Sequence, residues 1–94
     1  MIYTLPCGED PSALRSLHPE ALYFDLAEYI ARKTGRSAEE LRDASPELYG
    51  IVEEEAFRDL VVMAEITGVP RIVRLCAHTL DNTECSRLAA ENGV

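Results

Sequence analysis

Residues 69–80, VPRIVRLCAHTL, decide which fold class the rest of the sequence is fitted to. Pro70 suits the first position of a helix, where an N–H has no intrahelical partner anyway. At roughly 100° per residue, Val69, Val73, Cys76 and Leu80 share one face. The spacing predicts a helix over 70–80. Only the start of the chain has strand character, in Ile2, Tyr3 and Leu5. With 70–80 helical there is no second strand to pair with it, so residues 1–9 are read as an extended lead-in.

The segments on either side also read as helices. Asp10 as cap and Pro11 behind it open a short helix over 11–17. Pro19 and Glu20 at the start, Arg32 and Lys33 in the last turn and Gly35 after it bound a helix over 19–34. Leu22, Leu26, Tyr29 and Ile30 form its inner stripe. Ser37 and Glu40 form a capping box for 38–44. Ser45 and Pro46 open the longest helix, 46–67, which Gly68 closes. In that helix Leu48, Val52, Ala56, Leu60 and Met63 share the expected inner side. A last helix restarts at Asp81 or Asn82 and covers 83–91. The expected fold is therefore all-α: one compact bundle of four to five helices with a short extended N-terminal lead-in. A chain of 94 residues with no repeat, linker or low-complexity stretch makes one domain.

Cys76, His78 and Cys85 lie close in sequence and suggest a metal or thiol site, with Cys7 as a distant fourth member. On a helix, residues two apart point about 200° away from each other, so Cys76 and His78 do not converge on one ion. Cys76 is read as facing the core and His78 as facing solvent. Cys85 sits near Leu88 and Ala89 and reads as a small buried hydrophobe. Cys7, beside Gly8 in a loop, is the best candidate for a reactive thiol. No phosphate loop, nucleophile elbow or zinc-protease motif occurs. The expectation is no enzyme, no catalytic residue, no metal and no cofactor.

Ala31, Gly35 and Leu41 are spaced as in a DNA-binding helix-turn-helix, which that stretch resembles: a small residue at the close contact, a turn glycine, and an aliphatic anchor from the second helix. The helix that would read bases is AEELRD, with Glu39, Glu40 and Asp43 against Arg42 alone. Carboxylates repel phosphates, and no direct nucleic-acid contact is expected.

The chain carries 17 acidic and 9 basic residues, for a net charge of −8. Nine of the acids, against two bases, fall within residues 39–65. That concentration suggests a docking surface for a protein with a basic face, and Glu47, Glu53, Glu54, Glu55 and Asp59 are the expected partner-facing acids. Anionic membranes are disfavoured, no segment is apolar over a bilayer's width, and no signal peptide is recognisable, so the expected compartment is the cytoplasm. The run LVVMAEI is apolar nearly all round. It is read either as the centre of the bundle or as a homodimer surface through Leu60, Val61, Val62 and Met63. The expected function is a small acidic cytoplasmic protein–protein interaction module, an adaptor or inhibitor. The alternatives are an acidic mimic of nucleic acid, as carried by phages and mobile elements, and a thiol- or metal-dependent enzyme.

Overall fold

The computed structural model describes residues 1–93 and corrects the fold class. Over the described residues the chain is a mixed α/β fold with five α-helices and a three-stranded parallel sheet, not an all-α bundle. In chain order the elements are β1 (Ile2–Leu5), α1 (Ser12–Leu17), β2 (Leu22–Asp25), α2 (Leu26–Thr34), α3 (Ala38–Ala44), α4 (Pro46–Thr67), β3 (Arg71–Arg74) and α5 (Thr83–Asn92), with a turn of 3₁₀ helix at Thr79–Asp81 before α5. The strands lie in the order β1-β3-β2.

Three expectations are overturned together. The stretch expected as a helix over 70–80 supplies β3, the central strand, and then leaves the sheet as a loop. Pro70 stands just before the strand, where its missing N–H breaks no ladder. Arg71, Ile72 and Val73 are all buried, because a central parallel strand is covered on both faces and does not alternate. The lead-in is β1, which pairs with β3. The expected helix over 19–34 is divided. Residues 18–21 turn, with Ala21 N–H donating to the His18 carbonyl at 3.0 Å, and Leu22–Asp25 extend as β2. The helix starts only at Leu26, where Asp25 caps it by accepting the Glu28 N–H at 3.2 Å.

Where a capping serine or a glycine after the last turn marks a helix end, the boundary lies at that residue. Gly35 and Gly68 end α2 and α4 in the left-handed conformation, at φ 76° and 71°, which glycine adopts without a Cβ clash. Ser37 and Ser45 cap α3 and α4 through their hydroxyls.

The register sorts the sheet into two faces. The rows Ile2–Arg71–Leu22 and Thr4–Val73–Phe24 point one way, and the rows Tyr3–Ile72–Tyr23 and Leu5–Arg74–Asp25 the other. Ile2, Val73 and Phe24 belong to the main core with Leu26 and Ile30 of α2, Phe57 and Leu60 of α4, and Cys85 and Leu88 of α5. The opposite face is thinner. There Tyr3 stacks on His18 with ring centroids 3.9 Å apart, and the Arg15 guanidinium lies 5.4 Å from the centre of the Tyr23 ring. Helix α1 itself has no buried residue.

Arg71 is the odd member of the core face. It is buried and forms no ion pair among the described residues. Its guanidinium donates to the Val69 carbonyl and lies 5.8 Å from the centre of the Phe24 ring, while its Nε has no partner.

Candidate functional site

Helix α4 carries all five expected partner-facing acids, but it is rotated from the expected phase. Its buried side runs through Tyr49, Glu53, Ala56, Phe57, Leu60, Val61 and Ala64, whereas the expected stripe ran through Leu48, Val52, Ala56, Leu60 and Met63, of which only Ala56 and Leu60 are buried. At 100° per residue that is a rotation of about 80°. Glu53 is therefore corrected from partner-facing to buried, with 2% of its surface exposed. Leu60 and Val61 are core residues and cannot form a dimer surface, while Val62 is exposed and Met63 half-buried. Glu47 and Glu55 are exposed and Glu54 is half-buried. Asp59 is already engaged, with Lys33 Nζ at 2.9 Å and the Tyr29 hydroxyl at 3.0 Å.

The rotation also brings aliphatic side chains outward. Leu48, Ile51, Val62 and Ile66 are 48%, 54%, 42% and 79% exposed. They fall within a 60° arc of the helix, and Glu55 lies within that arc. The outward face of α4 is thus an apolar stripe with a carboxylate at its middle and Glu47 and Glu65 near its ends.

Beneath α4, Glu53 organises a small polar network. The Tyr49 hydroxyl donates to its Oε2 at 2.9 Å, and the Thr79 hydroxyl lies 3.1 Å from the same oxygen. Thr79 also accepts the Cys76 N–H at 2.9 Å, which fixes the loop leaving β3. Burial comes first among the causes that push the Tyr49 phenol well above its ordinary range.

The carboxyl ends of the three strands meet in one row, Leu5–Arg74–Asp25. Asp25 binds Arg74 through Nε at 2.7 Å and a terminal nitrogen at 2.6 Å, and the hydrogen bond and charge of Asp25 raise the Arg74 guanidinium further. Beyond this row lies a crevice of about 430 Å³, lined among others by Cys7, Asp25, Glu39, Arg42, Arg74 and Cys76. Crevices outside the carboxyl ends of parallel strands are the usual ligand positions of open α/β sheets. Arg42 is held with its guanidinium 4.9 Å from the centre of the Tyr49 ring and forms no ion pair among the described residues.

Comparison with family models, curated proteins and solved structures finds no match.

The three cysteines do not form one centre: Cys85 lies in the main core, whereas Cys7 and Cys76 line the carboxyl-edge crevice and, with His78 and Asp81, a second hollow of about 180 Å³. Cys7 is exposed, while Cys76 and Cys85 are buried. Burial, with a smaller contribution from Glu53, pushes both buried thiols up, Cys85 to about 12, so neither is readily ionised. His78 is exposed and pairs with Asp81 at 3.1 Å. No group of three or more potential metal ligands occurs among the described residues. None of the helices among them is long and apolar enough to cross a membrane.

The sequence reading missed Asp25, Arg42 and Arg74 as neighbours. Asp25 and Arg74 are 49 positions apart, and only the sheet brings them together. A local signal did exist: Asp25-Leu-Ala-Glu28 has the spacing of a helix cap and first-turn acid, which would have moved the helix start from Pro19 to Leu26.

Proposed function

We propose that the protein is a small interaction module that docks a basic partner through the outward face of α4. The observation that carries this reading is the exposure of Leu48, Ile51, Val62 and Ile66 on one helix face with Glu47, Glu55 and Glu65 beside them. Four aliphatic residues in one line are more than solubility requires, and an apolar stripe rimmed by charge is the usual form of a protein-binding surface. Carboxylates at its rim steer a basic partner and exclude acidic ones.

The test is the affinity of the partner recovered from the native cell, measured by calorimetry with purified components. Its Kd should rise on the order of tenfold between 50 and 300 mM NaCl, and comparably when Glu47, Glu54 and Glu55 are changed together to Gln. An affinity indifferent to both changes removes the reading. If the partner binds nucleic acid, and nucleic acid competes for the same site, the α4 carboxylates act as phosphate mimics.

A second reading rests on the carboxyl-edge crevice. Arg42 offers guanidinium donors there with no carboxylate bound to them among the described residues, which suits a small anionic ligand. Such a ligand would raise the melting temperature of the wild type and not of Arg42→Gln. A panel of small carboxylates and phosphates that shifts neither protein, or both equally, disposes of it.

A further inference from the structure

The proposed docking face has a register of its own. Leu48 and Ile51 form one aliphatic cluster near the start of α4, and Val62 and Ile66 form a second near its end. At 1.5 Å per residue the cluster centres are about 22 Å apart, and the whole stripe is about 27 Å long. Between them, on the same arc, stands Glu55.

The bases nearby are already committed. Arg58 pairs with Glu84 at 3.1 Å, and Lys33 pairs with Asp59 at 2.9 Å. Glu55 is in no ion pair among the described residues. The face therefore has two apolar ends and an unneutralised carboxylate at its centre.

A second copy of the chain fits this pattern poorly. A two-fold axis that matches the clusters, Leu48 and Ile51 against Val62 and Ile66 of the mate, passes close to residue 57. It brings the two Glu55 carboxylates to within about 10 Å of each other across packed helices. Each copy also carries a net charge of −8.

We infer that the occupant is a basic amphipathic helix of about 18–20 residues, with two apolar clusters on one face and a lysine or arginine between them opposite Glu55. This rests on the proposed reading of α4 as the docking face. An extended segment could also span 27 Å, but against a helix face it would leave its backbone N–H and C=O groups without partners, which a helix pairs internally.

The experiment uses two synthetic 20-residue peptides of identical Leu, Lys and Ala composition. In one, leucines sit at both ends of a helical face with a lysine midway. In the other, the order is scrambled. Binding to the full chain is followed by fluorescence anisotropy at 150 mM NaCl, and peptide helicity by circular dichroism. The registered peptide should become helical and bind at least tenfold more tightly than the scrambled one. Ile51→Ser and Ile66→Ser should each weaken it several-fold, and Glu55→Gln should narrow the gap between peptides. These positions are exposed, so an unchanged thermal melt shows that the variants are folded. Equal binding of both peptides, or binding of neither, overturns the inference. So does a stable homodimer at micromolar concentration that Ile51→Ser dissociates. Equal binding that is still lost with the Glu47, Glu54 and Glu55 to Gln variant leaves acidic docking standing and removes only the helical register. Binding indifferent to that variant and to salt removes the docking reading itself.

Discussion

Glu53 shows what one residue's environment does to a charge run. Three consecutive glutamates, Glu53 to Glu55, are chemically alike in sequence, but their burial differs: Glu53 is 2% exposed, Glu54 half-buried and Glu55 exposed. The sequence suggested that the acids share the solvent side, because the phase of α4 was set from Leu48, which is itself 48% exposed. The clue was Tyr49, one helical turn before Glu53, whose hydroxyl reaches the buried carboxylate at 2.9 Å. Removing that acceptor leaves the Tyr49 and Thr79 hydroxyls competing for partners in a low-dielectric site. Glu53→Ala should therefore cost about 1–3 kcal/mol of unfolding free energy. Glu53→Gln keeps a carbonyl oxygen for both hydroxyls and should stay within about 1 kcal/mol of wild type. Urea denaturation of the three proteins decides. A Glu53→Ala variant as stable as wild type would mean that the network does not hold the β3 loop.

At the scale of elements, legibility followed the capping signals. The helices α3 and α4, bounded by Ser37, Ser45 and Gly68, were readable because their end signals are local chemistry. The strands were not. Each has four residues, the shortest run in which alternation can be told from helical spacing. RIVR is buried along its centre strand by neighbours from residues 2–5 and 22–25, a context that exists only after folding. Burial on both sides has a kinetic consequence. The Ile72 and Val73 amides sit in the middle of the sheet under two layers, so they should exchange with solvent only through near-global unfolding. Amides of α1, which buries no side chain, should exchange on the order of 100-fold faster through local opening. Residue-resolved hydrogen exchange by NMR tests both. Exchange at β3 as fast as at α1 would contradict the central strand.

For the whole molecule, the acid excess acts at a different range from the contacts. The ion pairs Asp25–Arg74, Asp59–Lys33 and Glu84–Arg58 close at 2.6, 2.9 and 3.1 Å, well inside a screening length of about 10 Å at 0.1 M salt. The remaining carboxylates repel one another across a body of 38 × 23 × 22 Å, whose dimensions exceed that screening length. Added salt therefore weakens the diffuse repulsion more than the contact pairs. The unfolded chain holds the same charges farther apart, so relief of repulsion favours the folded state. Raising NaCl from 20 to 200 mM should raise the melting temperature by a few degrees, in line with a gain of about 1 kcal/mol. Docking through α4 should weaken over the same range, since attraction to a basic partner is screened in the same way. The two responses have opposite signs and one cause, the net charge of −8. A melting temperature that falls with salt would show that contact ion pairs outweigh the repulsion. The acidic face would then be a stabilising feature of the fold, and the case for its role in partner recognition would rest on the aliphatic stripe of α4 alone.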